Sequence, residues 1–174
     1  MGKNKAALDY HGVSLLEHQV KKLRRLGIED IVVSGQASAV EKVRFVPDVY
    51  PDRGPLGGIH AGLLAIENPA ALVLSVDCPL IPEQFLRKLI RSHKGGITVA
   101  AHEGVIEPLI GVYDKALAGL CMEILLGEKT SVRRLHDAVG ISILAYEGDR
   151  RLLSGCNTPE EYKEILSYEQ EEKA

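Results

Sequence analysis

Apolar residues recur along the chain with two alternating periods. Runs rich in Val, Ile and Leu at residues 30–34, 43–46, 72–76, 97–101, 105–113 and 141–146 predict strands. Between them, apolar residues three and four apart predict helices. Leu15, Leu16, Val20, Leu23 and Leu26 form one buried stripe, which Gly27 ends. Further helices are expected over 59–66, 83–93, 114–126 and 131–138, and from Asn157-Thr158-Pro159 onward. Ser14 and Glu17 have the spacing of a capping box, and His102-Glu103-Gly104 suits a tight turn. Glu107-Pro108, inside a strand-like run, implies an edge strand or a bulge. Strands alternating with helices at this spacing predict an α/β fold. It would be a three-layer, mostly parallel, Rossmann-like sheet in a single domain over residues 1–174.

Within that pattern, 72–76 reads as a strand buried on both faces, and it runs into Asp77-Cys78-Pro79. A carboxylate at the C-terminal end of such a strand lies where open α/β sheets bind ligands. Asp77 there either meets a cation or only caps the following turn. Asp48 follows the strand at 43–46, and Tyr50-Pro51-Asp52-Arg53-Gly54-Pro55-Leu56-Gly57-Gly58 then makes a shaped loop. The next helix begins with His60 near its start, and His60 is expected on its surface. Amides at that start suit an anion or a nucleotide edge, unless the loop is an ordinary connection.

Composition narrows the partners. The net charge of -3 shows no basic excess, so neither nucleic acid nor an anionic membrane is an expected partner. Lys21, Lys22, Arg24 and Arg25 read as one solvated helix face, while Lys3 or Lys5 could meet a phosphate. Cys78, Cys121 and Cys156 stand far apart with no CxxC pair, which points to a reducing cytoplasm. No stretch is long and apolar enough for a membrane span.

Four stretches together resemble the molybdenum cofactor guanylyltransferase family. MGKNKAAL is similar to the second part of the opening motif Leu-x-Gly-Gly-x-x-x-Arg-Met-Gly-x-x-Lys. VPDVYPDRGPLGG is similar to the segment of an Asp followed by Gly-Pro-Leu-x-Gly. SVDCPLIP resembles the metal-binding strand end, and NTPEEY the C-terminal Asn-Thr-Pro-Glu-Glu signature. The resemblance implies GMP transfer from GTP to molybdopterin, with Mg²⁺ as cofactor. It implies that Lys5 contacts the nucleotide phosphates and that Asp48 recognises the guanine nucleotide. Asp77 would ligate Mg²⁺, Gly54, Pro55, Leu56 and Gly57 would form the nucleotide loop, and Asn157 would face the molybdenum cofactor. Ser34 stands where some relatives carry Asn at the end of the second strand, and Gly155 where a second Asn often occurs. The His102 turn could line the pterin side or be a plain surface turn. Other cofactor-biosynthesis or molybdoenzyme-maturation proteins are further partners the resemblance admits.

The resemblance also implies a first strand and a glycine-rich phosphate loop ahead of Met1, and these 174 residues do not include them. A gap or an exposed edge in the sheet is therefore expected between the strand at Ile31 and the strand before Asp77. The 174-residue form is expected not to transfer guanylyl groups at a useful rate until that strand and loop are supplied. Two alternatives remain open: a related cytidylyl or sugar-phosphate nucleotidyltransferase, and a non-catalytic cofactor-binding module.

Overall fold

The computed structural model describes residues 5–35 and 40–171. A small hairpin of β1 (Asp9–Tyr10) and β2 (Val13–Ser14) leads into helix α1 (Leu15–Arg25). The expected capping box forms, with Ser14 Oγ accepting from the Glu17 amide at 3.1 Å. Strands β3 (Val32–Ser34) and β4 (Arg44–Val46) pair in parallel. Helix α2 (Pro55–Ala65) precedes β5 (Ala70–Leu74), and α3 (Glu83–Ser92) precedes β6 (Ile97–His102) and β7 (Val105–Asp114). Helices α4 (Ala118–Leu126) and α5 (Val132–Val139), strand β8 (Ser142–Ala145) and helix α6 (Pro159–Glu171) complete the chain.

The main sheet has the order β5-β7-β6-β8. The α/β class holds, and β7 makes the sheet mixed, because it is antiparallel to both neighbours. The cause is local. Glu103 and Gly104 both take positive φ, 49° and 79°, which is the geometry of a two-residue hairpin turn. The chain therefore reverses without a crossover helix. Of the two options at Glu107-Pro108, the bulge is the one realised. Val99 pairs with Gly111 but Ala100 pairs with Glu107, so β7 loops out around Pro108. The strand itself is interior, not an edge.

The layers follow from the alternation of side chains. Ile97, Val99 and Tyr113 face Leu56, Ile59 and Leu63 of α2, Cys121 and Leu125 of α4 and Leu135 of α5. Ala100, Ile110 and Val112 face Phe85, Leu86 and Leu89 of α3 on the other side.

The expected gap is present. Among the described residues, β3 and β4 form a sheet separate from β5-β7-β6-β8. A cavity of about 1480 Å³ runs between β3 and β5, with Leu16, Val20 and Leu23 of α1 and Ile59, Gly62 and Leu63 of α2 among its walls. The expectation that the strand before Asp77 is buried on both faces is corrected here. All five β5 residues are only half-buried, because their free edge opens on this slot. The strand also stops at Leu74, so Asp77 sits in the turn beyond it.

Candidate active site

Asp77 is the centre of one cluster of polar side chains. Lys5 Nζ donates to its Oδ2 at 2.8 Å and to Asn157 Oδ1 at 2.7 Å, joining residues far apart in sequence. Ser75 Oγ donates to Asp77 Oδ1 at 2.5 Å, and the Cys156 amide donates to the Asp77 carbonyl at 3.0 Å. Partial burial raises the affinity of the Asp77 carboxyl for a proton. The hydrogen bonds from Lys5 and Ser75 and the Lys5 charge outweigh that, holding its pKa below the ordinary value. Asp77 is therefore ionised at neutral pH and already paired with a cation.

Asn157 is fixed by the start of α6. Glu161 Oε2 accepts from the Asn157 amide at 2.7 Å and the Thr158 amide at 3.0 Å, while Thr158 Oγ1 accepts from the Glu161 amide at 3.1 Å. This is a capping box around Thr158. Gly155 has a role that its sequence position did not signal. A Cβ there would lie 3.1 Å from Asp77 Oδ1, so the glycine is what lets residue 155 pass so close to the carboxylate.

A second cluster lies past the ends of β3 and β4. Ser34 Oγ donates to Asp48 Oδ1. The loop expected over 50–58 is shorter than its composition suggested. Pro55, Leu56, Gly57 and Gly58 form the first turn of α2, with Gly54 as its N-cap at φ 67°. Pro at the first helical position explains the early start. Gly57 and Gly58 face Asp48 and Ser34 directly. A Cβ at 57 would lie 3.2 Å from the Tyr50 carbonyl oxygen and 3.4 Å from Asp48 Oδ2, and one at 58 would lie 3.1 Å from Ser34 Oγ. Leu56 is a correction, since its side chain is fully buried in the core and offers a nucleotide nothing.

His60 is also corrected. It is buried at 3% exposure against Tyr50, not on the helix surface, and desolvation lowers its pKa below 6.5. Lys22 is buried as well, at 4% exposure, instead of joining a solvated face. Lys3 lies outside the described residues. β5 and β6 run parallel through the intervening β7, so His102 ends β6 on the same side of the sheet as the Asp77 turn. Its Nε2 is 3.0 Å from the Gly148 carbonyl oxygen.

The two clusters share one border, since Lys5, Ser34, Gly58 and Ser75 all line the slot between β3 and β5. Among the described residues, no group of three or more His, Cys, Asp or Glu side chains is placed to hold a metal. A single carboxylate suits Mg²⁺, which binds through one or two carboxylates together with phosphate oxygens and water. The Lys5 ammonium is the positive charge that meets this carboxylate.

Comparison with known proteins gives a consistent picture. The model of one protein family, the MobA-like NTP transferase domain, matches residues 1–141. A probable molybdenum cofactor guanylyltransferase of Carboxydothermus hydrogenoformans is 30% identical over 174 aligned residues, covering 95% of this chain and 88% of that protein. Among solved structures, molybdopterin-guanine dinucleotide biosynthesis protein A from Archaeoglobus fulgidus superposes with a TM-score of 0.78 at 19% identity. That match covers 98% of this chain and 92% of the other. The 2-C-methyl-D-erythritol 4-phosphate cytidylyltransferase of Thermus thermophilus shares the fold at TM-score 0.72 and 17% identity, over 95% of this chain and 94% of the other.

Proposed function

The chain belongs to the MobA-like NTP transferase domain family, and from that premise we propose that it transfers GMP from GTP to molybdopterin, yielding molybdopterin guanine dinucleotide and pyrophosphate. One observation carries the reading. An ionised carboxylate, an ammonium and an amide converge at Asp77, and Lys5 and Ser75 of that cluster line the same slot as Ser34 and Gly58 beside Asp48. The name of the Carboxydothermus relative supports the same substrates.

In this reaction a terminal phosphate oxygen of molybdopterin bonds to the α-phosphorus of GTP, and the bond to the β-phosphate breaks. The nucleophile is already anionic, so the demand is for placement and charge neutralisation instead of a strong base. Mg²⁺ held by Asp77 would supply part of that neutralisation. Lys5 places a fixed positive charge beside the phosphates. Asp48, held by the Ser34 hydroxyl, accepts a hydrogen bond from the guanine or ribose, and Gly57 and Gly58 let the first turn of α2 pack close beside it. Asn157 presents its amide toward the pterin side. The three buried, free cysteines fit a reducing cytoplasm as the place of work.

The rival reading is cytidylyl transfer, since the fold shared with the Thermus cytidylyltransferase does not itself choose the base. Product analysis with each nucleotide tests the choice. The chain is supplied with molybdopterin, Mg²⁺ and either GTP or CTP. The guanine dinucleotide and pyrophosphate should appear in equal amounts with GTP. Equal or faster turnover of CTP would overturn the assignment.

A further inference from the structure

Helix α1 sends two buried polar side chains into the turn that carries Asp77. Gln19 and Lys22 are each 4% exposed and stand one helical turn apart. Gln19 Nε2 donates to the Ser75 carbonyl at 3.0 Å and to the Cys78 carbonyl at 2.9 Å. Lys22 Nζ donates to the Pro79 carbonyl and, at 2.9 Å, to the Ile81 carbonyl. Four carbonyls of one turn, on either side of Asp77, are thus held by two residues of another element.

The chemistry makes this pairing specific. The turn cannot satisfy these carbonyls within a strand ladder, since β5 ends at Leu74 and Pro79 and Pro82 have no N–H to offer. Burying an ammonium is costly unless its protons are taken up, so the Lys22 head fixes where the carbonyls must point. An apolar residue at either position would fill the space but remove these donors, leaving the Ser75 carbonyl only the Cys78 amide at 3.4 Å and the Pro79 carbonyl only His18 Nε2 at 3.3 Å.

We propose that Gln19 and Lys22 are positioning residues that clamp the Ser75–Ile81 turn and hold the Asp77 carboxylate in its working orientation. The inference rests on the reading of Asp77 as a functional carboxylate, but its test needs no substrate. Cys78 and Cys121 are both buried free thiols. Cys78 lies inside the clamped turn, whereas Cys121 sits in the separate core under α4 and reports global opening.

The experiment compares Lys22→Met, Gln19→Leu and Lys22→Arg with the wild-type chain. Alkylation at each cysteine is followed by mass spectrometry, and the Asp77 carboxyl is titrated by carbon NMR. Loss of the clamp should speed labelling at Cys78 by about tenfold or more through local opening, with Cys121 unchanged. The Asp77 pKa should rise toward the ordinary carboxylate value as its bonds from Lys5 and Ser75 loosen. Lys22→Arg should restore both signals at least in part, since it keeps the charge and the donors. Equal acceleration at Cys78 and Cys121, or an Asp77 titration that does not move, would overturn the proposal. If the clamp passes this test but no guanylyl transfer is found, it is the reading of the reaction that fails.

Discussion

Lys5 Nζ lies 2.8 Å from Asp77 Oδ2, so the carboxylate that the resemblance gives to a metal is met here by an ammonium. The pair is partly exposed, and it binds the start of the chain to the turn after β5. Replacing Lys5 with Met should raise the Asp77 pKa, because its largest favourable partners are lost while desolvation remains. Carbon NMR titration of Asp77 in wild type and variant checks this. An unchanged midpoint would mean that the ammonium does not set the charge of this site.

The nucleotide preference should be visible in binding alone. With Mg²⁺ present, GTP should raise the melting temperature of the chain more than CTP at equal excess. The basis is the Asp48 carboxylate beside the glycine-bearing first turn of α2. Equal shifts would favour the related transferases.

Gly62 tests the slot. It lies inside α2, borders the slot, and a Cβ there would meet nothing within 4 Å. Gly62→Ala should therefore stabilise the 174-residue chain by about 0.5–1 kcal/mol, through helix propensity alone. Urea denaturation measures it. A clear loss of stability would mean that the space is occupied in solution.

Much of this architecture was legible in short-range pattern. The Ser14–Glu17 box, the Glu103-Gly104 turn and the cap at Thr158 and Glu161 each depend on residues within four positions of one another. Asp77 was legible because an acid at the end of an apolar run is a local anomaly. The rest depends on distant partners. A glycine- and proline-rich run reads as a loop, yet Gly54 and Pro55 start a helix whose Gly57 and Gly58 admit Asp48 and Ser34 from other strands. Lys22 follows the polar rhythm of a surface face and is buried only because the carbonyls of Pro79 and Ile81 receive it. Gly155 read only as the loss of an Asn, and its close approach to Asp77 shows only in three dimensions.

Two buried imidazoles give a pH dependence of known sign. Desolvation lowers the pKa of His60, and desolvation, partly offset by Asp137, lowers that of His136, both from an ordinary value of 6.5. The unfolded chain then binds more protons than the folded one once the pH falls below that value. Their contribution to stability is complete above about pH 6.5 and is lost progressively as the pH drops through it. The urea midpoint should fall between pH 7.5 and 5.5, and His60→Gln should flatten the slope. A midpoint that rises on acidification would contradict this account.

The most direct measurement is the rate of dinucleotide and pyrophosphate formation from GTP, molybdopterin and Mg²⁺. It compares the chain with its Asp77→Asn variant. Turnover is expected from the unmodified chain. Asp77→Asn should retain the fold and lose about a hundredfold or more in rate, since it preserves shape and removes only charge. Undiminished turnover by Asp77→Asn would contradict the central claim that this carboxylate serves the transfer.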